Sequence, residues 1–254
     1  MSIPKTEMPD FGNWVPMRLV CALGSLVVVS LALSFVFMPS LVGLAFFLFL
    51  FCYFGYSRFK FSPRGANLQG HIRQLVLDNL ELQGQGKAID IGCGSGPLTI
   101  NLAKQFRNAE VVGIDYWGGK WDYSKGICER NARIEGVSSR VSFRKASASA
   151  LPFDDEYFDA AISNLVFHEV CDTKDKREVV REALRVVWKG GKFAFQDLFL
   201  EKKIYGDVGE LLKEIRGWGI QHVDFLDTSR LAMIPKPLRV SFMLGGIGII
   251  HGTK

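Results

Sequence analysis

Residues 88–97 read Ala88-Ile89-Asp90-Ile91-Gly92-Cys93-Gly94-Ser95-Gly96-Pro97, and their reading decides the fold. A short apolar run of the kind that forms a buried strand leads directly into glycines at alternate positions. Such glycines let the chain turn tightly and bring backbone against a ligand with no Cβ in the way. A dinucleotide loop would read G-x-G-x-x-G, with pyrophosphate at the start of the next helix. Here the third glycine comes one residue early and Pro97 stands in the expected place. The pattern is D-x-G-x-G-x-G. Asp90, two residues before the first glycine, would repel a pyrophosphate but suits a ligand bearing an ammonium group.

Downstream, strand and helix patterns alternate. Strands are expected over residues 87–91, 110–114, 141–144, 158–163 and 192–197, the last announced by a Gly190-Gly191 turn. Helices are expected over 67–82, 98–106, 120–135 and 173–187, then a helix over 206–216 and strands over 220–226 and 246–251. This alternation predicts an α/β domain: a doubly wound, mostly parallel, seven-stranded sheet covered on both faces. In such sheets ligands bind beyond the carboxyl ends of the strands.

Upstream the chain is different. From Leu19 to Ser57 there are 39 residues without a charge. One membrane helix needs about 20 apolar residues, so the run suits two spans. Pro39 marks the break between them, at about 17–37 and 41–56. Arg58, Lys60 and Arg64 follow the second span, which puts that end in the cytosol and, for a hairpin, the Lys5 and Arg18 end with it. Trp14, Tyr53 and Tyr56 suit the interfaces. The expected organisation is a membrane hairpin over 1–64 and a catalytic domain over 65–254. A cleaved signal peptide does not fit so long a run; a buried hairpin of a soluble protein is the competing reading.

The formal charge of +5 is spread along the 254 residues rather than gathered in a block. No nucleic-acid partner is expected, and an anionic membrane surface suits the balance equally well. The five cysteines form no CxxC pair and the four histidines no ligand spacing, so neither a disulfide framework nor a metal site is expected.

Four motifs in order give the chain from about residue 67 a specific likeness. They are Asp90-Ile91-Gly92-Cys93-Gly94-Ser95-Gly96; Gly113-Ile114-Asp115; Ser147-Ala148-Ser149-Ala150-Leu151-Pro152-Phe153 ahead of Tyr157-Phe158-Asp159; and Lys189-Gly190-Gly191-Lys192. Together they resemble the class I, Rossmann-like S-adenosylmethionine-dependent methyltransferases, in particular the small-molecule, ubiquinone/menaquinone-methylating type. The resemblance implies S-adenosylmethionine as cofactor, bound by Asp90, Gly92, Cys93, Gly94 and Gly96, with Asp90 and Gly92 at its methionine end. It implies Asp115 on the ribose hydroxyls, Tyr116 beside the adenine, and Ser147 and Ala148 at the adenine edge. Asn164, just after the fourth strand, would face the sulfonium. Ser147 departs from the family, which usually has an aspartate there, and Lys189 stands in place of proline.

Methyl transfer is an in-line displacement, so the chain must supply proximity, alignment and a dry pocket. A hydroxyl or thiol acceptor also needs a base, for which His168, with Glu169 beside it, is the candidate. The other reading is that His168 packs or caps and Glu169 is solvated. Trp117, Trp121 and Tyr123 would either wall an acceptor pocket or cover the sheet. Residues 231–244 mix apolar and basic side chains, suited to a membrane surface or to an ordinary strand connection. The expected function is a membrane-anchored methyltransferase with a lipophilic acceptor. The alternatives are a non-catalytic cofactor-binding membrane module and a protein methyltransferase.

Overall fold

A computed structural model describes residues 7–82, 85–118 and 123–254. The chain divides into two compact units: residues 12–72, and residues 73–254 together with the segment ending at Phe11.

The first unit holds two long apolar helices, α1 (Met17–Ser34) and α2 (Ser40–Phe61). They run antiparallel at close quarters: a Cβ on Gly24 would lie 3.2 Å from the Phe51 ring, and one on Gly43 3.9 Å from Ser30 Oγ. The chain between them turns at Pro39, where Ser40 Oγ donates to the Phe37 carbonyl at 2.6 Å. α2 runs five residues past the expected end of the second span. Arg58 and Lys60 end the apolar run but not the helix, since both side chains leave it: Arg58 donates to the Val15 carbonyl, and the Lys60 ammonium sits 5.6 Å from the Tyr56 ring centre. Below them Trp14 meets Phe61 edge to face at 5.3 Å. Only 11% of the first helix window and 6% of the second is buried within the chain. Val28, Phe35, Val36, Phe46 and Phe49 are each more than half exposed. Neither helix is covered by the rest of the chain.

After α3 (Leu68–Asp78) comes the sheet: β1 (Gln85–Ile91), β2 (Asn108–Asp115), β3 (Val141–Lys145), β4 (Phe158–Asn164), β5 (Val187–Asp197), β6 (His222–Asp227) and β7 (Gly248–Thr253). Its order is β3-β2-β1-β4-β5-β7-β6. The β1–β5 ladders are parallel, and only β7 runs against its neighbours. The connecting helices are α4 (Pro97–Gln105), α5 (Lys125–Ile134), α6 (Lys176–Arg185), the single turn α7 (Lys202–Tyr205) and α8 (Val208–Gly217).

The two-residue period of a strand separates two cores. Ile89, Ile91, Phe193 and Phe195 point to one face with residues of α6 and α8; Ala88, Ala160, Ile162 and Ala194 point to the other with α4 and α5. β5 begins earlier than its sequence suggests. Gly190-Gly191 forms an irregularity inside the strand, where the register against β4 shifts between Phe158 and Ala160, rather than a turn ahead of it. A Cβ on Gly191 would stand 2.9 Å from the Asp159 carbonyl and closer still to Val187 and Trp188. Residues 231–244 are a packed connection. Ile234, Leu238 and Leu244 are buried, and Arg239 turns inward to the carbonyls of Ile234 and Leu231, leaving Phe242 exposed.

Candidate active site

The carboxyl ends of β1 to β5 lie along one edge, and the loops that leave them carry most of the residues singled out in the sequence. After β1, Gly92, Gly94 and Gly96 all take positive φ (77°, 58° and 87°). Gly92 is held hardest: its Cβ would fall 2.2 Å from Val166. The Gly92 and Cys93 amides donate to the Ile114 carbonyl, and Gly96 precedes α4 with Pro97 in its first turn.

Asp115, at the end of β2, ties this loop to its own. One carboxylate oxygen accepts from the Gly94 amide at 2.9 Å and the other from the Trp117 amide at 2.8 Å. Trp117 takes φ 40° and its indole donates back to the Gly94 carbonyl at 2.9 Å. The Tyr123 ring covers Gly94, 3.3 Å from where a Cβ would be. These two aromatics therefore pack on the glycine loop; Trp121 lies outside the described residues. Tyr116 is 66% exposed, with the Lys145 ammonium 5.0 Å from its ring centre.

Asp90 sits deeper than its motif suggests. It is 1% exposed and accepts from Thr99 Oγ1 at 2.6 Å across the strand–helix interface. Burial pushes its carboxyl up to about 7; Asp115 adds to this, against the opposing pull of Thr99 and Arg73. Arg73 is itself buried, and burial brings its guanidinium down to about 10 despite Tyr123 and Asp90 nearby. The ammonium of a ligand would therefore feel Asp90 as part of a buried polar cluster beneath the loop. Cys93 is buried too, and burial next to Cys128 drives its thiol well up.

Beyond β4 the backbone is strained at Leu165 (φ 58°), whose amide donates to the Gln196 carbonyl at 2.8 Å. Asn164 Oδ1 and, beside it in register on β5, Gln196 Oε1 are buried without a hydrogen-bond partner. The 3-10 turn over Phe167–Glu169 follows. Phe167 anchors it, fully buried and edge-on to Phe195 at 5.3 Å. Truncating such a side chain to alanine costs about 3–5 kcal/mol.

That turn hands His168 to Asp197 at the end of β5. His168 Nδ1 lies 2.7 Å from Asp197 Oδ1, while Oδ2 accepts from the amides of Val166 (3.0 Å) and Phe167 (2.8 Å). Asp197 has no exposed surface. On the other side of the ring Nε2 is 3.9 Å from Glu169. Burial works to lower the imidazole pKa, but the charge and hydrogen bond of Asp197, with help from Glu169, outweigh it and hold the ring above its usual value. Sequence reading missed Asp197, because no motif marks it; the signal was its place as the last residue of the fifth parallel strand. Beyond β3, Ser147 and Ala148 lie at the same edge, and the Ala146 amide donates to the Asp115 carbonyl at 3.1 Å.

Ser95 and the N-terminal segment were also missed. Ser95 Oγ donates to the Phe11 carbonyl at 3.0 Å, and Asn131 exchanges hydrogen bonds with the backbone of Asp10 at 2.9 and 2.7 Å. The residues ahead of the hairpin thus strap the glycine loop to α5.

Among known proteins, residues 89–195 match the family model described as a methyltransferase domain. The chain is 31% identical over 125 residues to the methyltransferase GfsG of Streptomyces halstedii, covering 48% of this chain and 41% of that one. It is 27% identical to a demethylmenaquinone methyltransferase of Lactiplantibacillus plantarum, over 48% and 49% of the two chains. The alignments thus span less than half the length of these relatives. The fold superposes on geranyl diphosphate C-methyltransferase from Streptomyces coelicolor with a TM-score of 0.58 at 15% identity, covering 74% of this chain and 80% of that one. Residues 89–195 are thus similar to a methyltransferase domain, and the sheet that carries them has the fold of solved Rossmann-like methyltransferases.

Proposed function

We propose that the protein is a membrane-anchored enzyme that transfers a methyl group from S-adenosylmethionine to a lipophilic small-molecule acceptor. The observation that carries the reading is the pairing, along one sheet edge, of a carboxylate-tied glycine loop with a half-buried histidine held by a buried aspartate.

The residues fit the cofactor. Asp115 keeps lone pairs free for vicinal ribose hydroxyls while its present bonds hold it in place. The orphaned Asn164 Oδ1 is an acceptor facing where a positive sulfonium or ammonium would sit, and such a buried acceptor needs a partner. Gly92, Cys93, Gly94 and Gly96 give the methionine end a surface of backbone, and Asp90 sets the potential beneath it. Tyr116, Ser147 and Ala148 take the base. When bound, the cofactor supplies an electrophilic methyl group. His168 then accepts the proton of the acceptor on Nε2, because Asp197 holds Nδ1 protonated and stabilises the imidazolium that forms. Glu169 lies close enough to share that charge.

The apolar α1–α2 pair supports anchoring: both helices are long enough to span and neither is buried by its own chain. The basic residues after α2 support a catalytic domain on the cytosolic side. An anchor suits an acceptor that is concentrated in the bilayer, and one relative is named for methylating demethylmenaquinone.

The test supplies the full-length protein in native membranes with S-adenosylmethionine carrying a tritiated methyl group. Label should pass into solvent-extractable material and fail to do so with His168→Ala. Label confined to protein would favour a polypeptide acceptor, and no transfer would contradict the reading.

A further inference from the structure

Past β6 the chain changes in charge. From Thr228 to Lys254 it holds no acidic side chain, while Arg230, Lys236 and Arg239 fall in the connection that leads to β7. The fold treats these bases differently. Arg239 turns inward and donates to the carbonyls of Ile234 and Leu231 at 3.0 and 3.1 Å, and Ile234, Leu238 and Leu244 are buried beside it. With the turn stapled in this way, Arg230, Lys236 and Phe242 stay outside. Phe242 is 71% exposed, more than any other aromatic side chain described in the second unit. Neither Arg230 nor Lys236 has an ion-pair partner among the described residues.

The chain that leaves β5 adds to this surface. The Leu200 amide donates to the Gly246 carbonyl at 3.0 Å, and a Cβ on Gly246 would stand 2.6 Å from the Glu201 side chain, so α7 lies against the connection. Lys202 and Lys203 on α7 are exposed; Asp207 lies 3.8 Å from Lys202, an exposed pair of little worth. β5 and β6 end where β7 begins, since Asp197 and Asp227 each pair with Gly248. The surface therefore belongs to the same sheet edge as His168 and Asp197.

A protruding phenyl ring among basic side chains has the chemistry of an interfacial segment. The ring enters the boundary between headgroups and acyl chains, and the bases keep their charge at the lipid phosphates. What selects lipid over another partner is the apolar hairpin of the same chain. A tethered domain samples the bilayer surface at high effective concentration, so a modest patch suffices to dock it.

We propose that the face formed by Lys202, Lys203, Arg230, Lys236 and Phe242 docks the catalytic domain on an anionic bilayer surface, active-site edge first, so that a lipophilic acceptor passes from lipid towards His168 without crossing water. The proposal rests on the membrane-anchored reading above.

The experiment places the full-length protein in nanodiscs of phosphatidylcholine, with or without phosphatidylserine. Cys21, Cys52 and Cys171 are replaced by serine, and an environment-sensitive dye is attached at Phe242→Cys or, as a control at the opposite end of β5, at Lys189→Cys. In phosphatidylserine discs the dye at 242 should brighten, shift to the blue, be quenched by spin-labelled lipid and revert in high salt, while the dye at 189 stays in water. Each base at such a surface is worth about fivefold in the docking equilibrium, so Lys202→Glu, Lys203→Glu, Arg230→Glu and Lys236→Glu together should abolish the shift. A dye at 242 that stays in water in both lipids, or a shift that neither salt nor charge reversal changes, would overturn the proposal and leave the anchored methyltransferase standing. A blue-shifted dye that spin-labelled lipid fails to quench would do the same, by showing the segment closed on protein. Protein that does not enter the discs would sink both.

Discussion

Nδ1 of His168 lies 2.7 Å from the carboxylate of Asp197, a residue with no exposed surface whose other oxygen is taken by two backbone amides. A carboxylate fixed in this way holds the imidazole with its proton on Nδ1 and its bare nitrogen, Nε2, outward. His168→Ala should lower kcat by roughly 10²–10⁴-fold, the usual worth of a positioned base. S-adenosylhomocysteine affinity should hold within about twofold, since Asp115 and the glycine loop are untouched. A parallel loss of affinity would show that the histidine only packs.

The same contact gives a pH dependence. The base works only when neutral, so kcat/KM should rise with pH through the His168 pKa, which the structure holds above the usual histidine value. Asp197→Asn removes the charge that favours the imidazolium. Its pKa should fall and the acid limb should move to lower pH, with a reduced plateau. A limb that stays in place in the variant would separate Asp197 from the titration.

Asp90 contributes in the opposite place, to stability. Its folded pKa of about 7 lies above the ordinary 3.8, so the folded state holds the proton more tightly than the unfolded chain. Stability from this group is complete below about pH 4 and is lost as pH rises to about 7, by on the order of 4 kcal/mol. Asp90→Asn carries no titrating group. The melting temperature of the wild type relative to this variant should therefore drop steadily between pH 4 and pH 8, and parallel profiles would refute the shift.

Thiol chemistry reports on the hairpin. Cys52 in α2 and Cys171 in the catalytic domain are both exposed on the chain itself. With Cys21 replaced by serine, a membrane-impermeant maleimide applied to inverted vesicles should label Cys171 and spare Cys52, which lipid would cover. Right-side-out vesicles should show neither labelled. Equal labelling of both thiols would place the hairpin in water.

Much of this was legible in the sequence, for physical reasons that differ by residue. Gly92 and Gly96 announced the loop because positive φ and close approach leave no other choice of side chain, and alternating apolar runs announced the strands. The seven-stranded sheet, its mostly parallel order and the likeness to methyltransferases followed from those marks. Asp197 and Arg73 were not legible: Asp197 acts through His168, 29 residues away, and Arg73 is buried near Asp90 and Tyr123 of other elements. Such pairings are products of strand order, which a linear pattern does not carry. The apolar run marks a span of about 41–56 but not the end of the helix, because the Arg58 and Lys60 side chains leave an unbroken backbone that continues to Phe61. The burial of Asp90 was missed for a similar reason: its motif speaks of a ligand, and only the packing of Thr99 against it reveals the polar interior.

The central claim is that the glycine loop and Asp115 hold S-adenosylmethionine. Calorimetric titration of S-adenosylhomocysteine into the detergent-solubilised full-length protein, beside Asp115→Ala, tests it most directly. The account predicts saturable binding to the wild type and a loss of roughly tenfold or more in the variant, whose carboxylate no longer meets the ribose or the Gly94 amide. A folded wild type that does not bind, or a variant that binds as well as the wild type, would contradict it.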